Sequence, residues 1–133
     1  MIVLDSSAVV EWLLVRRGAT AVRERLRDPA VTAHAPSLLG VEVVAALRGL
    51  VLGGYASPAR AALALSDLTS ADIEFYDPSP LLNRAWQLRD NLTPYDAVYV
   101  ALAEVLGAVL VTADARISRA PGVRCDVDVI VTD

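Results

Sequence analysis

Lysine is absent from this 133-residue sequence, and all twelve basic residues are arginine. A phosphate-binding P-loop needs a lysine after its glycines, and Gly53-Gly54 is the only glycine pair in the chain. Response-regulator receivers and haloacid-dehalogenase-type phosphatases also combine their acidic residues with a lysine. Asp5 is followed by Ser6-Ser7 rather than by the Asp-x-Asp pattern of those phosphatases. The sequence therefore disfavours all three classes of phosphate enzyme.

Cysteine and histidine occur once each. Cys125 has no partner for an internal disulfide and cannot build a cysteine-rich zinc site, so we expect a small buried thiol without redox chemistry. His34 has no nucleophile spaced beside it in the sequence, although a role as a base stays open. We expect a structural role for this histidine.

Long apolar runs are also missing. The longest stretch without a charged residue is the thirteen residues between Asp28 and Glu42, too short to span a membrane. The first residues, MIVLDSSAVVEWLL, lack a basic leader and carry Asp5 and Glu11, which argues against a signal peptide. We therefore expect a cytoplasmic protein.

The composition indicates one domain with a large core. Apolar residues make up 55% of the chain, against roughly 45–50% in an average soluble domain. The length suits a single domain over residues 1–133, and the apolar excess suggests, as a hypothesis, a protein interface. The net charge of −4 does not favour nucleic-acid binding, but acids that hold divalent cations can make a site locally positive.

The stretch from Leu92 to Asp114, LTPYDAVYVALAEVLGAVLVTAD, contains the clearest structural signals. Thr93 suits an N-cap and Pro94 the first helical position, which predicts a helix from Pro94 to about Leu106 with Asp96 in its first turn. Gly107 then ends the helix, and Val109 to Val111 form a short buried strand that Asp114 follows.

Strands and helices alternate along the rest of the chain, and no hairpin signal interrupts them. This alternation predicts a mostly parallel central sheet with right-handed crossovers and helices on both faces, an α/β fold in three layers. The other predicted strands are Ile2–Leu4, 30–33, Ile73–Tyr76 and 127–131. In the first half of the chain, the predicted helices are one capped by Ser7, one at 20–26, and one opened by Pro36-Ser37 and closed by Gly53-Gly54. Later helices are predicted from Ser57-Pro58 to about Leu68 and from Ser79-Pro80 to about Arg89, with a weak helical turn after Asp114.

Four acids fall near the ends of predicted strands or the starts of predicted helices, and each has an ordinary explanation. Asp5 and Asp96 could serve only as helix-entry residues, and Asp114 only as a turn residue. Glu42 lies in a predicted helix that is apolar on nearly every side, so it needs either an arginine such as Arg48 or a cation.

The combination of these acids is more informative than any one of them. In an open parallel sheet, the carboxyl ends of strands and the starts of helices share the edge where ligands bind. Several carboxylates at that edge would repel one another and raise their own pKa values unless a cation lay among them. Oxygen ligands of this kind select magnesium or manganese over zinc.

Four segments resemble the PIN-domain ribonucleases, and specifically the VapC-type toxins of VapBC toxin–antitoxin systems. The segments are MIVLDSSAVV, HAPSLLGVEVVAALR, LTPYDAVYVALAE and LVTADARI, which together extend to about Ile117. The resemblance implies a PIN-like fold and an endoribonuclease that depends on magnesium or manganese and leaves a 5′-phosphate and a 3′-hydroxyl. It implies Asp5, Glu42, Asp96 and Asp114 as the catalytic acids, of which Asp5, Asp96 and Asp114 would bind the metal.

The resemblance also implies supporting residues and partners. Ser6 and Thr112 match hydroxyl positions that support the acids, whereas Arg116 is a candidate phosphate contact that could equally be a solvated surface residue. The implied partners are an RNA substrate, a VapB-type antitoxin and a second copy of the chain. An alternative remains open, in which the same acids hold a structural ion or pair with arginine and the protein only mediates association. Trp12, Trp86, Tyr95 and Tyr99 are expected to be ordinary core or interface residues.

Overall fold

The structure is a computed structural model that describes residues 1–132. Strands and helices alternate along it as the sequence predicts. The elements are β1 (Ile2–Leu4), α1 (Ser6–Leu13), α2 (Ala19–Arg25), β2 (Ala33–Pro36), α3 (Leu39–Leu52), α4 (Pro58–Ser70), β3 (Ile73–Tyr76), a short 3-10 helix (Ser79–Leu81), α5 (Leu82–Gln87), α6 (Pro94–Leu106), β4 (Val109–Thr112), α7 (Ala115–Arg119) and β5 (Val127–Val129).

The five strands form one parallel sheet in the order β3-β2-β1-β4-β5. The most central strand, β1, pairs with β2 and with β4, and Leu4 is in register with Val111. Helix α6 packs against β1, β2 and β4 and against α5, while α1 packs against α2, α3 and α4. This arrangement confirms the three-layer α/β/α architecture with a central parallel sheet.

Helix α6 has the ends that the sequence predicts. The Thr93 hydroxyl accepts a hydrogen bond from the amide of Asp96, and Pro94 occupies the first turn. Gly107 ends the helix in the left-handed conformation with a φ of 63°, which an L-residue with a side chain adopts at a cost. Every residue of α6 from Ala97 to Ala103 is buried, because the helix lies between the sheet and α5.

Some predicted boundaries are wrong by a few residues. Strand β2 covers Ala33–Pro36 rather than residues 30–33, since only the later segment pairs with both neighbouring strands. Helix α3 begins at Leu39 rather than at Pro36-Ser37, because the backbone N–H of Ser37 still donates a hydrogen bond to the carbonyl of Tyr76 in β3. Strand β5 ends at Val129 instead of residue 131, and α5 ends at Gln87.

The N-cap of α1 also differs from the prediction. Asp5, not Ser7, caps this helix, and its carboxylate accepts the amide of Ala8. Ser7 lies within the first turn, where its hydroxyl is free to bond elsewhere. Within residues 1–132, the helices are all too short or too polar to cross a membrane.

Candidate active site

Asp5 directly follows the most central strand and is the most enclosed of the four acids. Its side chain is only 4% exposed. Oδ1 accepts hydrogen bonds from the Ser7 hydroxyl at 2.6 Å and from the Ala8 amide at 3.0 Å, and Oδ2 accepts one from the Thr112 hydroxyl. Burial raises the pKa of this carboxyl, although the hydrogen bonds oppose the shift. Asp5 is therefore held in a fixed direction in an environment that disfavours its charge.

The two hydroxyls on Asp5 also link β1 to the end of β4. Thr112 is completely buried, and its Oγ1 accepts the Asp114 amide at 3.0 Å. The Ser7 hydroxyl accepts the Ala113 amide at 2.9 Å and lies 3.2 Å from Oγ1 of Thr112. These bonds tie the start of α1 to the loop that carries Asp114.

Ser7, rather than Ser6, provides this support. In the described part of the chain the Ser6 hydroxyl makes no hydrogen bond to the acids, whereas Ser7 contacts Asp5, Thr112 and Ala113. The sequence places two adjacent serines after Asp5, and the choice between them depends on which one the first turn of α1 directs toward β4. The Thr112 hydroxyl contacts Asp5, as the resemblance implies.

Asp114 lies at the N-cap of α7, just beyond β4. Its carboxylate accepts the backbone amide of Arg116 at 3.0 Å and pairs with the Arg116 guanidinium, with Nη2 2.7 Å from Oδ2. This ion pair is the main reason why the pKa of Asp114 is lowered. The Arg116 side chain is 82% exposed, so the pair lies at the surface of the site.

Glu42 and Asp96 come to the same edge of the sheet from two different helices. Glu42 is half-buried in the first turn of α3, and Asp96 is half-buried in the first turn of α6. Burial is the largest cause of the raised pKa of each carboxyl. Among the described residues no arginine pairs with Glu42, and Arg48 is exposed. Of the two alternatives that the sequence left open for Glu42, pairing with an arginine is therefore not found within residues 1–132.

The charges of the four acids act on one another. Asp96 raises the pKa of both Asp5 and Glu42, Asp5 raises that of Glu42, and Asp114 raises that of Asp96. The acids therefore lie near one edge of the sheet. Within residues 1–132 only Asp114 of these acids forms an ion pair, although the charge of Arg116 also lowers the pKa of Asp96. As the side chains stand, however, no group of three or more His, Cys, Asp or Glu within residues 1–132 could hold a metal ion. The donor chemistry suits a hard divalent cation, but its binding requires side chains to rearrange.

Tyr99 lies beside the site, whereas the sequence predicts only an ordinary core or interface residue at this position. It lies on α6 one turn after Asp96 and is 1% exposed, yet its hydroxyl has no hydrogen-bond partner. Oε1 of Glu42 is also buried without a partner. Burial is the main cause that raises the pKa of Tyr99, and the nearby Glu42 carboxylate adds to the shift. A tyrosine in the buried run of α6 was the available signal, because a buried phenol requires a partner.

The remaining singled-out residues lie outside this site. His34 is buried in β2, with Nε2 2.7 Å from the Thr32 hydroxyl and Nδ1 2.7 Å from the Tyr76 hydroxyl. Cys125 is a half-buried thiol whose pKa is raised to about 11 by burial. Trp86 and Tyr95 are exposed, and Trp12 packs at the edge of the core. These environments favour the structural roles expected for His34 and Cys125.

Comparison with known proteins identifies the family and agrees with this fold. The PIN-domain family model matches residues 2–123. Ribonuclease VapC12 of Mycobacterium tuberculosis is 37% identical over 130 residues, which cover 98% of this chain and 99% of the relative. Ribonuclease VapC1 of the same organism is 41% identical over 129 residues, with 96% of each chain covered.

A solved structure shares the fold across nearly the whole chain. The structure of VapBC2 from Rickettsia felis bound to a DNA fragment from their promoter superposes with a TM-score of 0.70 at 16% identity, and covers 98% of this chain and 100% of that chain. At this identity the likeness concerns the fold alone. The match to the family model and the two ribonuclease relatives establish the family: this chain belongs to the PIN-domain family and to its VapC-type branch.

Proposed function

We propose that this protein is an endoribonuclease that depends on magnesium or manganese and acts as the toxin of a type II toxin–antitoxin pair. The observation that carries the proposal is the placement of Asp5, Glu42 and Asp96 at the end of β1 and in the first turns of α3 and α6. None of the three forms an ion pair within residues 1–132, and burial raises the pKa of each. Relatives that align over almost their full length are named ribonucleases. RNA as a substrate is consistent with the cytoplasmic location expected from the sequence.

The residues that would hold the ion are Asp5, Asp96 and Asp114, with Glu42 beside them. A bound magnesium or manganese ion supplies a water of lowered pKa and neutralises charge that develops on the phosphate. The Ser7 and Thr112 hydroxyls fix the direction of Asp5, which limits the reorganisation needed for binding.

Asp114 and Arg116 have a different role in this proposal. Asp114 pairs with Arg116, and an ion bound to Asp114 would compete with that pair for the carboxylate oxygens. The released guanidinium, which is largely exposed, is then available to the RNA phosphate, since arginine offers several donors to phosphate oxygens. Arg116 is therefore an accessory residue for substrate binding in this proposal.

The same proposal includes two protein partners. A VapB-type antitoxin is proposed because the relatives that align over almost their full length are VapC ribonucleases; the structure that shares the fold is of a VapBC pair. A homodimer is supported by large apolar side chains that stay exposed on α3, on α4 and between them, namely Val41, Val44, Leu52, Tyr55 and Leu63. Light scattering on the purified chain would report a mass of two copies if the dimer forms, and a single-copy mass at high concentration would contradict it.

An RNA cleavage assay tests the activity. Purified protein with manganese is expected to cleave RNA and to leave 5′-phosphate ends, and a chelator should abolish the cleavage. Asp96→Asn should lower the rate by at least about 100-fold, because it removes a charged ligand.

The matched control is Asp90→Asn, which changes an exposed acid in the loop before α6 and should leave the rate unchanged. Cleavage that survives both the chelator and Asp96→Asn would refute the proposal. Manganese binding by calorimetry without any cleavage would instead favour the association module.

A further inference from the structure

Tyr99 presents a buried phenol where a phenylalanine would fill the same space. It is among the largest fully buried side chains, and its neighbours in α6, Val98, Val100 and Ala101, are buried and apolar. Its hydroxyl nevertheless has no hydrogen-bond partner among the described residues. A buried hydroxyl without a partner is destabilising, so packing alone does not account for a tyrosine at this position.

Oε1 of Glu42 is unpartnered in the same region. A side-chain interaction with Glu42 raises the pKa of Tyr99, and the same interaction lowers that of Glu42. Among the described residues, however, neither the phenol oxygen nor Oε1 of Glu42 has a partner in full hydrogen-bond geometry. The phenol has one proton to donate, and the carboxylate oxygen can only accept. A hydrogen bond between the phenol and the carboxylate would remove both costs at once.

The positions of Tyr99 and Glu42 relative to Asp96 connect this pairing to the candidate active site. Asp96 and Tyr99 are three residues apart on α6 and therefore lie on the same face of the helix. Glu42 comes from α3, a helix that packs mainly against α1 and α4. Tyr99 is thus the group on α6 that can hold the carboxylate of α3 beside Asp96.

We propose that Tyr99 is a positioning residue, which donates its phenolic hydrogen bond to Glu42 and directs that carboxylate toward Asp5 and Asp96. This inference rests on the proposed function, because the Glu42 carboxylate that Tyr99 directs lies beside the three metal-binding acids and would contribute its charge to the same ion. Hydrogen-bonded groups behind metal-binding side chains set their orientation, and their loss usually weakens binding by 10–100-fold.

Manganese affinity measured by calorimetry tests the role of the hydroxyl. Tyr99→Phe removes only that hydroxyl and should weaken manganese binding by about tenfold or more. Tyr95→Phe is the matched control, because it removes an exposed tyrosine hydroxyl from the same helix and should leave the affinity unchanged. Wild-type affinity in Tyr99→Phe would overturn the inference.

Thermal unfolding without metal provides a second readout that does not depend on activity. If Tyr99 donates to Glu42, Tyr99→Phe should lower the Tm in the wild-type background and should not lower it in a Glu42→Ala background. If the hydroxyl is simply an unpaired buried group, Tyr99→Phe should raise the Tm in both backgrounds, and the inference fails. A wild-type protein that binds no manganese would refute the proposed function, whereas this metal-free cycle would still decide whether Tyr99 and Glu42 are coupled.

Discussion

At the scale of single residues, the four acids divide into two electrostatic groups. Asp5, Glu42 and Asp96 have raised pKa values because they are partly or fully removed from water near one another. Asp114 has a lowered pKa because Arg116 pairs with it. Arg116 therefore pairs with Asp114 and acts on Asp96 only through charge, whereas no described cation pairs with Asp5 or Glu42.

Arg116→Gln is predicted to strengthen manganese binding, since it removes a cation that competes for Asp114. The gain should be modest, severalfold at most, because Arg116 is exposed and water screens the pair. Calorimetry at low salt measures the effect.

Arg119→Gln is the control, because this arginine lies on the same helix and acts on Asp114 only through longer-range charge. Weaker binding in Arg116→Gln, or equal effects of the two variants, would contradict the idea that Arg116 and the ion compete.

At the scale of elements, α6 is the helix that places Asp96 and Tyr99. Its start is fixed by Thr93 and Pro94, and its end by Gly107, so the register of the helix is set at both termini. The buried run from Ala97 to Ala103 then holds the helix against the sheet and α5. The position of Asp96 depends on this packing as much as on the local cap.

Gly107→Ala is predicted to destabilise the protein by about 1–2 kcal/mol, because alanine is strained at a φ of 63°. An added Cβ would meet no atom within 4 Å, so the cost is conformational rather than steric. Urea unfolding measures the change in free energy.

Gly49→Ala is the matched substitution within α3, near its C-terminal end, where space is also open and φ is not positive. It should stabilise the protein by about 0.5–1 kcal/mol. Effects of the same sign in the two glycine variants would contradict the assignment of the left-handed C-cap.

At the scale of the whole molecule, repulsion among Asp5, Glu42 and Asp96 should make the stability of the protein depend on pH. An acid whose pKa is raised in the folded state destabilises the fold when it is ionised. This destabilisation is relieved as the pH falls through the raised pKa of the folded protein toward the unfolded pKa, which is 3.8 for Asp and 4.5 for Glu. Asp114 acts in the opposite sense, because its lowered pKa gives stability that is lost only below its unfolded value.

The metal-free protein is therefore predicted to have a higher Tm near roughly pH 5 than near pH 8. Manganese should raise the Tm most at pH 8, where the carboxylates are ionised and can bind it. Thermal unfolding over this range, with and without manganese, tests both statements. Asp96→Asn should flatten the metal-free dependence, and an unchanged slope would show that Asp96 is not part of the repulsive cluster.

The sequence by itself determined the α/β alternation, the parallel sheet and the ends of α6, because these follow from local periodicity, caps and turns at Thr93, Pro94 and Gly107. It also identified the acids that meet at one edge, since the carboxyl ends of parallel strands share that edge.

Only the tertiary structure decided which side chains support those acids. The choice of Ser7 over Ser6, the pairing of Asp114 with Arg116, and the unpaired Tyr99 beside Glu42 all depend on contacts between elements far apart in the chain. Local sequence carries no information about those contacts, because the direction of a side chain is fixed by the packing of one element against another.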